Sequence, residues 1–215
     1  LAEGPAPRGL TLPVLGTMGA ASAVLGPLLD NFHGQWGTLS YTHPLELFPG
    51  PGGQPLLLTA PFVPPLFAVA GIGMTGILFA AEAVRLSRGG KPTPVPTWPK
   101  VGVGIAAFSL QYFASGAMDH LGTPVLVEHT VLAGWAAAGQ LLLDASPEGV
   151  LTSALTAVGG PLVEAGLVRL GMYSYAHADF AGLWASWIPW VYAGGGAAVC
   201  NLARRVRAGL EADDG

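Results

Sequence analysis

From Ala181 to Ala203 the chain runs 23 residues without a charged side chain, and Arg204 and Arg205 end the run. As a helix rising about 1.5 Å per residue it would be roughly 35 Å long, enough to cross a hydrocarbon core of about 30 Å. The same stretch holds Trp184, Trp187, Trp190, Pro189 and three successive glycines, Gly194 to Gly196, which in water are poor material for a helix. A segment so apolar and so interrupted belongs among other helices in a membrane. The rest of the chain agrees: charged residues make up 10% of 215, against roughly 25% in a soluble domain.

Five further apolar runs have the length of spans: about Thr11 to Phe32, Pro61 to Ala83, Val101 to Met118, Thr123 to Leu143 and Val150 to Tyr173. With Ala181 to Ala203 they predict an all-α, six-transmembrane-helix bundle, one membrane domain over residues 1–215. Alternating ten-residue strands, the mark of a membrane barrel, are absent. Arg8 precedes the first span. Arg85, Arg88, Lys91 and Lys100 flank the second connection, and Arg204, Arg205 and Arg207 follow the sixth span. Only Arg169 lies inside a span. Six spans therefore place eight of the nine basic residues on one side, and the positive-inside rule puts both termini in the cytoplasm, or in the stroma of a plastid.

The longest connection, Asn31 to Ala60, contains "HPLELFPGPGGQP", whose glycines and prolines predict a turn or a mobile loop rather than a second domain. No basic stripe points to nucleic acid. Cys200, the one cysteine, lies in an apolar run and is expected to pack as a small hydrophobe.

Helices in lipid associate through small residues, which Gly71, Gly73 and Gly76, Ala136 to Gly139 and Gly194 to Gly196 supply. Pro189 is expected to kink the sixth span. The three tryptophans predict either an interfacial anchor or the wall of a lipid or pigment pocket. Gly194, Gly195 and Gly196 leave room for a recess, with Phe108, Tyr112 and Trp190 as candidate apolar walls of a lipid cavity. Close packing explains the glycines equally well.

Several motifs carry a resemblance. "SWIPWVYAGGGAAVCN" (Ser186 to Asn201) resembles the last span of the Insig proteins, and "GMYSYAHADF" resembles a family pattern through Gly171, Tyr173, Tyr175, Asp179 and Phe180. Val63, Pro64 and Pro65 fall in register with its second span, where Glu82 stands in place of an aspartate. Trp98, Val101, Ala106, Phe108, Ala114, Ser115 and Asp119 match its third. Asp144 falls on the family's aspartate after span four. The likeness runs from about Phe62 to Arg205. It implies six transmembrane helices and no catalysis. It also implies a lipid ligand, an oxysterol in animal members of the endoplasmic reticulum and a diacylglycerol-like lipid in bacterial ones, and a membrane partner bound through intramembrane surfaces. Asp144 is then a candidate partner-binding residue, although a turn residue ahead of a helix starting near Ser146 looks the same. The chain departs from the animal pattern in having no lysine before Lys91, a longer first connection, and an extra residue at Trp184.

Glu128, His129, Glu164 and Arg169 lie within or just inside spans, where ionisable groups are costly and draw functional suspicion. Glu128 and His129 are near enough to an end to reach the interface, whereas Glu164 is deeper and is expected either to pair between helices or to line a polar cavity. His33, His43, His120 and His177 scatter along the connections instead of forming a metal cluster, so no catalytic or metal site is expected. Histidines at membrane edges can also hold the magnesium of chlorophyll. The alternative reading is therefore an accessory subunit of a photosynthetic or respiratory complex, contacting chlorophyll or carotenoid; seven arginines to two lysines imply a GC-rich genome, bacterial or algal, in which no animal sterol circuit is expected.

Overall fold

A computed structural model of the chain describes residues 10–213; Arg8, counted above with the basic residues, lies outside them. Six helices alternate in direction: α1 (Leu12–Trp36), α2 (Val63–Ser87), α3 (Trp98–His120), α4 (Val125–Leu143), α5 (Pro147–Arg169) and α6 (Ile188–Asp213). Proline stands in the first turn of α1, α2, α3 and α5, where its missing N–H has no helical partner to lose. The Thr97 and Ser146 hydroxyls cap α3 and α5 by accepting from the N–H groups of Lys100 and Gly149. Helix α1 runs on through Pro27 to Trp36 and ends at Gly37, whose φ of 71° closes it. His33 is consequently a buried helical residue and not part of a connection.

The all-α, six-helix expectation holds for the bundle, to which short strands are added at one end. Four short strands decorate the end of the bundle opposite the two termini. Strands β2 (Leu45–Pro49) and β3 (Pro55–Thr59) form an antiparallel hairpin, so the glycine–proline run is an ordered turn, with Gly52 and Gly53 at φ of 73° and 82°. Asn31 and Gln35 of α1 hold it through the backbone of Leu56, Leu58 and Pro55. Strand β1 (Leu39–Tyr41) pairs with β4 (Tyr173–Tyr175), Leu39 opposite Tyr175 and Tyr41 opposite Tyr173. Alternation then turns these four side chains into the bundle and leaves Ser40 and Ser174 outside.

Two span boundaries also change. The fifth helix stops at Arg169, and Tyr173 belongs to β4. The sixth begins at Ile188, not Ala181: Ala181 and Gly182 have φ of 54° and 67°, outside helical space. Apolar composition could not separate a helix from a loop sealed by aromatics. Trp184 stacks on Phe180, and Trp187 is buried edge-on against His33. Pro189 is the second residue of α6 and therefore starts the helix without kinking it. Five helices, α1 to α5, are long and apolar enough to cross a membrane. Helix α6 is less so because its second half carries Arg204, Arg205 and Arg207. It compensates by position, packing against each of the other five.

That central place explains the glycines. Gly194 meets the amide of Gln111 from α3, and Gly196 meets Ser153 from α5, both too closely for a side chain. The fully buried Gln111 donates through Nε2 to the carbonyls of Leu132 and Trp190, each at 3.1 Å, and so joins α3 to α4 and α6. Leucine at Gly194 would displace this bridge at an overpacking cost of about 1–3 kcal/mol.

Candidate functional site

Helices α1, α2, α3, α5 and α6 enclose a cavity of about 380 Å³. Its walls are apolar for most of their height, from Met18, Ile77 and Leu202 at the end bearing the termini up to Leu29 and Phe67. The opposite end is polar. There Glu164, about 8 Å inside the end of α5 at 1.5 Å per residue, accepts hydrogen bonds from three tyrosines. Tyr175 donates to Oε2 at 2.6 Å, Tyr192 to Oε1 at 2.5 Å, and Tyr173 also reaches Oε2. Asp30 of α1 accepts from Tyr41 through Oδ2. The β1–β4 ribbon thus has a purpose, since it carries three of these four tyrosines onto carboxylates from two helices. Burial, then the neighbouring carboxylate, pushes the Tyr41 and Tyr173 phenols up from their ordinary value, which keeps them protonated as donors. Among the described residues no hydrogen bond occupies Asp30 Oδ1 or the Tyr112 hydroxyl, and both residues line the cavity.

The candidate site residues divide by the turn of the helix. Phe108, Tyr112 and Gly195 line the cavity. A side chain on Gly195 would come within 2.8 Å of Phe108 Cζ. Gly194 and Gly196, about 100° away on either side, serve packing against α3 and α5. Trp190 faces the other way, toward α4, where its Nε1 donates to His129 Nδ1 at 2.7 Å. Sequence reasoning flagged Glu164 but missed Asp30, Gln111 and the tyrosines as a group.

His129 belongs to a directed chain. The indole can only donate, so Nδ1 accepts and Nε2 carries the proton. Nε2 then donates to Ser186 Oγ at 3.0 Å, and Ser186 Oγ donates to Asp179 Oδ2 at 2.6 Å. Serine, histidine and aspartate meet here, but the imidazole has no free lone pair to take a serine proton, so the arrangement pins the start of α6 without activating a nucleophile. His33 Nε2 similarly faces Ser115 Oγ at 2.8 Å, and that hydroxyl donates onward to the Tyr112 carbonyl. Among the described residues no three His, Cys, Asp or Glu side chains gather as a metal site.

At the end bearing the termini, buried charges meet their opposites. Arg204 pairs with Asp144 Oδ1 at 2.9 Å and with Glu148 at 3.3 Å, and donates to Ser146 Oγ at 2.7 Å. Arg85 holds Glu148 through two bonds of 2.9 Å, while Thr93 donates to the same carboxylate at 2.6 Å. Arg207 approaches Glu82 at 2.8 Å by proximity more than by an aligned hydrogen bond, over the ring of Phe79. Asp144 is buried, its carboxylate turned inward onto Arg204.

No family model matches this chain, and no curated protein matches it. Among solved structures it is similar to a mycobacterial Insig homologue from Mycobacterium vanbaalenii, at 21% identity and a TM-score of 0.71, covering 93% of this chain and 96% of the homologue. A cross-linked trimer of a variant of that homologue matches at the same identity and TM-score, over 94% and 97% of the two chains. The bundle, its central sixth helix and this near-complete overlap show that the chain is a membrane protein with the Insig-like fold.

Proposed function

We propose that the protein binds one membrane lipid in its central cavity, without catalysing a reaction, and docks onto another integral membrane protein. The observation that carries the reading is the cavity itself, an apolar chamber between five helices closed at one end by Asp30, Glu164 and tyrosine hydroxyls. Lipid sites have this composition, mostly apolar with few convergent polar groups. A head bearing hydroxyls, as in a sterol or a diacylglycerol, would find acceptors on the carboxylates and a donor on Tyr112. An anionic phosphate would meet two acids.

The reading extends to orientation and docking. Both termini face the cytoplasm or stroma by the positive-inside rule, and the membrane is the endoplasmic reticulum by analogy or a plastid membrane under the alternative. Since Asp144 points inward, a partner at this face would touch the 144–146 loop, with Asp144 holding that loop through Arg204. The expected result of Asp144→Ala is weaker co-purification of the partner.

Lipid extraction of the purified protein tests the main claim. The expected result is one bound lipid per chain, reduced several-fold in Gly195→Leu, whose side chain enters the cavity toward Phe108. Wild-type lipid content in a folded Gly195→Leu protein would place the ligand elsewhere. An absorption spectrum with chlorophyll or carotenoid bands would instead support the complex-subunit alternative.

A further inference from the structure

We infer that the lipid enters the cavity sideways from the bilayer, through a seam between α2 and α5; this rests on the lipid-binding reading above. Every cavity-lining residue that is exposed lies on one of these two helices: Val69, Ala70 and Gly73 on α2, and Leu155 and Val163 on α5. The linings contributed by α1, α3 and α6 are buried or half-buried. The chamber therefore opens to one side of the bundle, onto the surface that faces acyl chains.

The two lips correspond in detail. Helices α2 and α5 are antiparallel and are joined at the end bearing the termini by Arg85 and Glu148. Counting along both helices from that contact, Ile77 stands level with Leu155, Gly73 with Gly159 and Val69 with Val163, each to within a residue. Residues spaced by four share one helix face, so each lip is a single stripe, apolar above and below and glycine in the middle. The glycine pair lies about 18 Å from the ion pair. A Cβ added at Gly73 or at Gly159 meets nothing within 4 Å. These glycines therefore do not serve close packing, unlike Gly71 two residues earlier, which is pressed against Ser22. They mark a gap. Its occupant is an acyl chain of a bilayer lipid, because the lips hold no polar side chain and continue into the exposed apolar surface of Ile72, Val158 and Leu162. Glu164 sits next to the Val163 lip, so a hydroxyl-bearing head entering here reaches the carboxylate–tyrosine cluster without crossing the apolar chamber.

The test follows uptake of one probe, a diacylglycerol with a diazirine in one acyl chain, by protein in phosphatidylcholine nanodiscs. Samples are photolysed at intervals after the probe is added, and label is read on the peptide containing Phe108 and Tyr112. Gly73→Trp and Gly159→Trp should slow labelling at least tenfold, while Gly134→Trp, on the exposed face of α4, leaves it unchanged. As a second arm, Gly73→Cys is blocked with a bulky maleimide after folding, the native Cys200 being buried. Labelling at the wild-type rate in the blocked protein overturns the seam. No cavity label in the wild-type protein would sink the lipid-binding reading, and the seam with it.

Discussion

The carboxylates that line the cavity and those at the end bearing the termini are held in opposite ways. At the end bearing the termini, Asp144, Glu148 and Glu82 are each matched to an arginine of α2 or α6. At the far end Asp30 and Glu164 are matched to tyrosine hydroxyls alone, among the described residues. An ion pair in a protected site is self-contained: breaking it leaves an uncompensated charge, and a ligand can add little to it. A carboxylate held by neutral donors keeps acceptor capacity for another donor. The first end is suited to fixing the helices, the second to receiving a guest, and the cavity reaches the second.

The largest effect should come from the fixed end. Arg204→Met strands Asp144, while Glu148 keeps Arg85 and Thr93, and should destabilise the folded protein by about 3–5 kcal/mol, measured by denaturant titration in detergent; a loss below about 1 kcal/mol would break the contrast. Next comes the helix that joins the ends. Gly194→Leu displaces the Gln111 bridge and should cost about 1–3 kcal/mol, visible as a lower midpoint in the same titration. At the receiving end Tyr192→Phe removes one donor to Glu164, worth about 1.5–3 kcal/mol at most for a hydrogen bond to a charged group, and it should also reduce the bound lipid. Smallest in stability is Glu164→Gln, at about 1 kcal/mol, because the amide oxygen still accepts from Tyr173 and Tyr175 while the amide nitrogen donates to the Tyr192 hydroxyl, which turns to accept. Its lipid content should nevertheless fall more than that of Arg204→Lys, scored on the folded fraction. The reverse ranking would exchange the roles of the two ends.

The spans were readable because lipid imposes a single requirement on them, length with little charge, and α1 to α5 meet it. The sixth span was readable only from Ile188 onward. Ala181 to Trp187 is just as apolar, yet its shape is decided by Asp179, which takes both the Ser186 N–H and its hydroxyl. Such side-chain contacts across a loop leave no periodic trace. The far end was legible one residue at a time: Glu164 stood out as an acid inside a span, and the same rule points to Asp30 once α1 is seen to extend to Trp36. The tyrosines could not be grouped, because Tyr41 meets Tyr173 only through pairing of strands more than a hundred residues apart. Gln111, uncharged, was invisible to any charge rule. Phe108, Tyr112 and Gly195 share the cavity and Trp190 does not, a difference of helix rotation that a list of apolar residues cannot express.

Locating the guest tests the two-ended account most directly. A photoreactive lipid with its diazirine at the head, incorporated into nanodiscs with the wild-type protein, should label peptides carrying Tyr112, Glu164 and Tyr192, and lose that label in Glu164→Gln. Label confined to the outer faces of the helices, or found instead around Arg85 and Arg204, would contradict it.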